Sequence, residues 1–454
     1  MTLFVPDVSA AYLRDLIVPV GETIGMAAAG MFVAFALGIP IAVAIGTRAP
    51  GFRLLVAALS SLRAIPDLTL AILAVVIVGL GPGAGVVALA LFYTAMVGRV
   101  YADLFLTAER APLEALRATG ASRVAIAAFG LLPLTMSDLL TFGSYAFECA
   151  MRASIIVGAV GGGGLGTELV GSLNALAYHR VLTLILVLVA LVAIVDRFGA
   201  LVRRTPRLGL LLVPVGLISL WLNRPGLFSF AHALGVFGGM LPPALRLPEV
   251  AALPALIAQT LGMALGGTLL GAVLAFPTSP AAAQRIAPPA LALLLRRIFD
   301  VARAIPELVW GLVLVVSIGT GPFAGAIALG LHSAGVLGKL YAESFENAPV
   351  APIAALASTG ARTLPIVAFG FVPLALGPLV VHTLFRLEWN VRAAAIVGMI
   401  GAGGIGQALY QAQQLFFYRE MLAYVLVTWG LVALSDWLGE RLRLRLGWRF
   451  VASG

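Results

Sequence analysis

Glu114-Ala115-Leu116-Arg117-Ala118-Thr119-Gly120-Ala121 is followed by Leu132-Pro133, and 240 positions later Ala354-Ala355-Leu356-Ala357-Ser358-Thr359-Gly360-Ala361 is followed by Val372-Pro373. The same offset relates Arg63-Ala64-Ile65-Pro66-Asp67 to Arg303-Ala304-Ile305-Pro306-Glu307, and Arg152-Ala153 to Arg392-Ala393. It also relates Gly163-Gly164-Leu165-Gly166 to Gly403-Gly404-Ile405-Gly406, and it holds without a gap from position 63 to at least Tyr178 and Tyr418. Two copies of one apolar bundle in a single chain are the pattern of a transporter whose halves face a shared pathway.

The 454 residues are 61% hydrophobic and only 11% charged, with a mean hydropathy of +1.06. Soluble domains carry about a quarter charged residues. Met26 to Gly46 is long enough to cross a bilayer as a helix, as are Leu182 to Val195 and Met421 to Leu434 with their flanks. The net charge of +9 reads as arginine gathered in cytoplasmic loops rather than as a nucleic-acid surface. Lys339 is the single lysine, and the lone Cys149 allows no intrachain disulfide. Met1 to Asp15 lacks a basic stretch followed by an apolar core, so no cleavable signal peptide is expected.

The hydropathy pattern predicts helices near 17–46, 54–80, 84–105, 124–147 and 181–202, and again near 251–276, 288–319, 323–345, 364–387 and 420–440. Leu208 to Leu222 is a further apolar run, and Asn223 to Glu249 reads as a loop. The expected fold is an all-α polytopic membrane protein of two parallel repeats, each of about five transmembrane helices, joined by an extra linker helix, about 11 spans in all. The expected divisions are a first half at 1–205, a linker at 206–250 and a second half at 251–454. One added crossing between two five-helix copies makes them point the same way. The arginines agree. Arg48, Arg53, Arg110, Arg117, Arg123, Arg197, Arg203 and Arg204 fall on one side, and Arg285, Arg296, Arg297, Arg362, Arg441, Arg443 and Arg445 fall on that same side. That side is placed in the cytoplasm.

The segment from Glu114 to Ala121 then lies between two spans on the cytoplasmic side, as a short amphipathic stretch, a Gly turn and a return into the membrane. It resembles the cytoplasmic "EAA" loop of ABC importer permeases. The resemblance implies that Glu114, Ala115 and Gly120, with Ala355 and Gly360 in the second copy, couple the chain to ATPase subunits. Ala354 stands where the first copy has Glu114, so a contact made by that carboxylate exists on one side only. Between about 250 and 440 the resemblance sharpens. Arg303 to Trp310, Gly321-Pro322-Phe323-Ala324-Gly325, Gly338 to Glu343, Glu388-Trp389-Asn390-Val391-Arg392-Ala393 and Gly401 to Gly406 are similar to the phosphonate-type importer permeases. That family moves phosphonates, phosphite or related phosphorus oxyanions. Ala150 stands where Asn390 stands in the second half.

Gly401-Ala402-Gly403-Gly404-Ile405-Gly406 fits G-x-G-x-x-G, but no βαβ unit surrounds it and no acidic residue ends a second strand about 20 residues on. Gly401, Gly403, Gly404 and Gly406, with Gly161, Gly163, Gly164 and Gly166, read instead as an outer gate where glycine permits tight turns and close backbone approach. No G-x-x-x-x-G-K-[ST] occurs, so ATP hydrolysis is expected on a separate chain.

Ionisable residues within spans mark pathways or internal salt bridges. Arg63 with Asp67, Arg303 with Glu307, Glu148 with Arg152, and Glu388 with Arg392 all have i,i+4 spacing, provided each helix is continuous. They are candidates for a translocation path, since guanidinium matches an oxyanion with two parallel hydrogen bonds. Arg99 with Asp103, and Lys339 with Glu343, read as braces for the coupling loops. Asp196 and Asp436 read as interfacial contacts. His332 has Phe92 as its equivalent and reads as a structural histidine. No Cys, His or acidic cluster has metal-ligand spacing, and no cofactor is expected.

The whole points to a multi-pass permease of a bacterial inner membrane working by alternating access, with no catalytic residues of its own. Its expected partners are two ABC ATPase subunits, an outer substrate-binding protein, a small anionic substrate and membrane lipid. An importer for an amino acid or quaternary amine is a second reading. An ion-coupled secondary transporter using Glu148 or Glu388 is a third.

Overall fold

The structure is a computed structural model and describes residues 5–63, 65–205, 212–223 and 230–445. Every regular element among them is helical. Among the described residues eight helices are long and apolar enough to cross a membrane, and two bent pairs raise the number to as many as ten. The chain forms two compact units, Met1–Leu241 and Pro242–Gly454.

The first unit runs α1 Ala10–Gly46, α2 Phe52–Arg63, α3 Asp67–Val78, α4 Pro82–Thr107, α5 Arg110–Ala118, α6 Arg123–Gly162, α7 Gly164–Asn174 and α8 Tyr178–Arg204. Then come α9 Leu212–Leu222 and α10 Phe230–Met240. The second unit repeats the plan with α11 Leu247–Ala282, α12 Pro289–Ala304, α13 Glu307–Ile318, α14 Pro322–Glu346, α15 Val350–Ser358, α16 Thr363–Ala402, α17 Gly404–Gln414 and α18 Tyr418–Arg445.

Small residues set the tightest packing. A Cβ at Gly30 would meet Leu89, and one at Gly267 would meet Leu329, so α1 lies close along α4 and α11 close along α14. The single helices expected near 54–80 and 288–319 are each two. Pro66 and Pro306 restrict the residue before them and cannot donate to the preceding turn, so each helix stops and restarts. The axes of α12 and α13 differ by 83°. The fourth span of each unit is longer than expected. α6 and α16 run through one π-helical turn at Ala127–Leu131 or Val367–Phe371 and end in a kink, at Gly161 or at Ile400 and Gly401, where the backbone leaves helical angles.

The linker differs from expectation in two ways. Part of the run taken as a loop is the helix α10, with α11 starting at Leu247. The described part of the apolar run, α9, has 11 residues, about 16 Å at 1.5 Å per residue, against a hydrocarbon core of about 30 Å. The preceding residues 208–211 lie outside the described residues. α9 packs along α1, where Gly216 lets Phe32 approach.

Candidate functional site

Glu148 and Arg152 of α6, and Glu388 and Arg392 of α16, are paired with charges on a neighbouring helix and not with each other. In the first unit Glu148 of α6 accepts a hydrogen bond from Arg203 of α8 at 2.8 Å, and Arg152 donates to Asp196 at 3.3 Å. In the second unit Glu388 pairs with Arg443, and Arg392 with Asp436. The expected i,i+4 partnerships of Glu148 with Arg152 and Glu388 with Arg392 are therefore replaced by a double clamp between two helices. The neighbouring helix offers each of these head groups an opposite charge across the interface. Asp196 and Asp436, expected as interfacial contacts, are members of this clamp.

Two glycines make room for it. A Cβ at Gly199 would collide with the Glu148 carboxylate, and one at Gly439 with that of Glu388. Asp196, Gly199 and Arg203 recur as Asp436, Gly439 and Arg443 at the same 240-residue offset. That recurrence is the signal by which the clamp could have been found.

At the helix breaks the expected pairs also re-form elsewhere. Arg303 donates to Asp300 at 3.1 Å, and Lys339 reaches the same carboxylate at 3.2 Å rather than Glu343. Glu307 begins α13 and is buried. Its Oε1 accepts from Trp389 Nε1 at 3.2 Å, and its Oε2 faces His332 Nε2 at 3.8 Å. The 83° bend carries Glu307 away from the Arg303 side chain. In the first unit Arg63 closes α2, and Asp67 begins α3 and caps its own first turn through Leu68 N at 2.8 Å. The Arg99 and Asp103 pair forms as expected, at 3.2 Å.

The second unit adds a polar core. Arg386 is 7% exposed, and its Nε donates to Ser333 Oγ at 2.8 Å. Asn390, fully buried, donates from Nδ2 to Ser333 Oγ at 2.9 Å and to Thr268 Oγ1 at 2.8 Å. His332 Nδ1 lies 2.9 Å from the Ile305 carbonyl, which can only accept, so this nitrogen carries a proton. Arg386, Ser333 and Thr268 were not singled out from sequence.

The glycine runs meet the first span of their own unit. Gly81 N donates to Gly161 O at 2.9 Å, and Gly321 N to Gly401 O at 3.0 Å. Gly164 N donates to Glu22 Oε2 at 2.7 Å and Leu165 N to Thr23 Oγ1 at 2.9 Å, so α1 caps α7. In the same way Gln259 and Thr260 cap α17 through Gly404 N and Ile405 N, at 2.9 and 3.0 Å. Gly164 and Gly404 have φ of 70° and 72°, and a Cβ there would press on the capping threonine. Gly163 and Gly403 are likewise in the left-handed region, and a Cβ at Gly166 or Gly406 would strike the backbone of the preceding span.

The segments expected to couple to an ATPase form the short helices α5 and α15, anchored by buried Leu113 and Ile353. Glu114, Ala115, Ala355, Gly120 and Gly360 are exposed, and both glycines end the helix with φ near +77° (76° and 78°). Beside α15 lies an open groove of about 410 Å³, floored by Leu356, Phe369 and Pro373. Each of its lining residues is identical to the residue 240 positions earlier.

Residues 34–207 and 267–447 each match the family described as binding-protein-dependent transport system inner membrane component. The chain belongs to that family. This permease is 31% identical to the phosphate-import permease protein PhnE of Mycolicibacterium smegmatis, over 93% of this chain and 84% of that one. It is 36% identical to the phosphite transport system permease protein PtxC of Stutzerimonas stutzeri, over 39% of this chain and 65% of the other. It is 38% identical to the putative cryptic phosphonate transport system permease protein PhnE2 of Escherichia coli, over 26% of this chain and 96% of the other. The permease is thus a multi-pass inner-membrane transport subunit rather than an enzyme, carrying both permease repeats in one polypeptide.

Proposed function

We propose that this permease imports a phosphorus oxyanion, one of phosphate, phosphite or a phosphonate, driven by ATP hydrolysis on a separate chain. The observation that carries the reading is the similarity across both repeats and the linker to a phosphate-import permease, joined by shorter matches to phosphite and phosphonate permeases. An outer binding protein would deliver the anion to the face carrying the glycine runs from Gly161 to Gly166 and from Gly401 to Gly406, which act as the outer gate.

Two ATPase subunits dock at α5 and α15, with Gly120 and Gly360 ending the docking helices. Identity of the groove residues in both repeats supports two copies of one ATPase, since the same surface would be kept twice only for the same partner. Glu114 adds a contact at one docking helix only.

Arg63, Arg152, Arg303 and Arg392 supply positive potential along the path. Asp67, Glu148, Glu307 and Glu388 balance charge on the surrounding helices. Alternation then follows from nucleotide favouring one of two states differentially. Uptake of radiolabelled phosphate and phosphite by vesicles holding the permease, the ATPase and the outer binding protein tests the reading. Replacing both Arg152 and Arg392 by lysine, which keeps a charge beside Asp196 and Asp436 but not the paired donors of guanidinium, is expected to cut uptake sharply while the complex still assembles. Normal uptake by that double variant would remove the arginines from the path.

A further inference from the structure

We propose that the second unit alone holds a recognition site for one tetrahedral oxyanion, built on Arg386, Ser333 and Asn390 where α11, α14 and α16 meet. The inference rests on the substrate reading above and deepens it.

The decisive atom is Arg386 Nη2. It is buried in a side chain only 7% exposed and has no hydrogen-bond partner, while Nε of the same guanidinium is satisfied by Ser333. A buried guanidinium nitrogen without a partner is costly, more so than a neutral group, and at this place in the fold the first unit has no guanidinium. At the positions of Arg386, Asn390, Ser333 and His332 it has Ala146, Ala150, Tyr93 and Phe92, and it closes the same helices around them. The polar core is therefore not demanded by the fold.

The donors present suit an oxyanion. Arg386 and Asn390 stand one turn apart on α16, so their head groups project from the same face. Ser333 Oγ already accepts from both of them, and its proton has only a long contact, 3.3 Å, to Asn390 Oδ1. A small rotation of that hydroxyl would turn its proton to an anion oxygen beside the open guanidinium edge. Asn390 spends both amide hydrogens on Ser333 and Thr268 and so holds the hydroxyl in place, while the guanidinium and the hydroxyl are the donors left to meet oxygens of a tetrahedral anion. The neighbouring carboxylate of Glu307 accepts from Trp389 and faces His332, and it acts on Arg386 through space without a hydrogen bond, so it leaves Nη2 without an acceptor. Since Arg386 has no counterpart, the site occurs once per chain.

Equilibrium binding of radiolabelled inorganic phosphate and phosphite to the permease purified with its ATPase, without the outer binding protein, tests this. It is run with and without a non-hydrolysable ATP analogue. The expected result is one anion per chain, held at least about tenfold more weakly after Arg386→Lys and several-fold more weakly after Ser333→Ala. Elution volume and melting temperature report whether each variant still assembles. If Arg386→Lys does not, Ser333→Ala decides, because it removes a donor without changing charge. No bound anion in either nucleotide state would mean that water satisfies Nη2, and the site would be refuted. Two anions per chain, or unchanged binding in both variants, would refute it equally. Vesicle uptake separates the two levels: phosphorus oxyanion uptake without anion binding to the permease removes the site and leaves the substrate reading standing. Binding of sulfate at Arg386, with no phosphorus oxyanion bound or carried, keeps the site and removes the substrate.

Discussion

The two halves of this permease repeat the same helices, the same clamp and the same groove-lining residues, yet they have different cores. Glu148, Arg152, Asp196 and Arg203 are matched residue for residue by Glu388, Arg392, Asp436 and Arg443. The lining of the groove beside α15 is matched without exception. The core beneath Asn390 is matched nowhere: Thr268, Ser333, Arg386 and Asn390 form a hydrogen-bonded network, and the first half offers Ala146 and Ala150 with aromatic neighbours. What both halves keep fits the fold and the proposed docking of one ATPase at each half. What one half keeps serves something the complex needs once.

The clamp should break hardest. Gly199→Ala and Gly439→Ala each drive a methyl group into a carboxylate and push it off its arginine, so the roughly 1–3 kcal/mol of overpacking is joined by a weakened ion pair. Melting of the purified complex should fall sharply and to a similar extent for both. A large loss for one only would mean that the clamps are not equivalent.

Next is the core itself. Asn390→Ala strips Thr268 and Ser333 of a donor and should destabilise the second half by about 1–3 kcal/mol. The reverse change, Ala150→Asn, buries an amide among apolar neighbours and should cost a comparable amount. Chemical denaturation followed separately in each half would show it. If Ala150→Asn were neutral, the first core would be more tolerant of polarity than its residues indicate.

Smaller still are the helix caps. Thr23→Val and Thr260→Val each remove one acceptor for a backbone N–H, at Leu165 and at Ile405, and should cost about 1 kcal/mol apiece. Hydrogen exchange at those two amides is the direct reading, and both should speed up together. The smallest effect belongs to Glu114→Ala, which makes the first docking helix resemble the second. As a single exposed contact it should weaken ATPase binding by no more than a few-fold, measured by surface-immobilised titration. Loss of binding would mean that the two docking helices are unequal and that the shared groove contributes little.

Much of this was legible in the sequence. The 240-residue offset carried the two repeats, the coupling segments and the glycine corners, because each is a local pattern. The first span escaped that comparison. Thr23, Gly25 and Met26 recur as Thr260, Gly262 and Met263 at an offset of 237, because the stretch from Thr260 to Arg303 is three residues longer than that from Thr23 to Arg63. The capping role of that span was hidden with it. Ion-pair partners were misread because i,i+4 spacing is the one partnership visible along a chain, whereas Arg203 and Asp196 reach Glu148 and Arg152 from another helix. Arg386 was passed over for a further reason. Attention to residues present in both halves discounts any residue that works in one, and Ala146 gave no cue.

Uptake of radiolabelled phosphate and phosphite into vesicles containing permease, ATPase and outer binding protein, with ATP supplied on the ATPase side, tests the central claim most directly. Uptake of at least one of them should require ATP hydrolysis and survive ionophores that collapse proton and sodium gradients. Uptake that continues without ATP and disappears with the ion gradient would contradict the account and make the chain a secondary transporter.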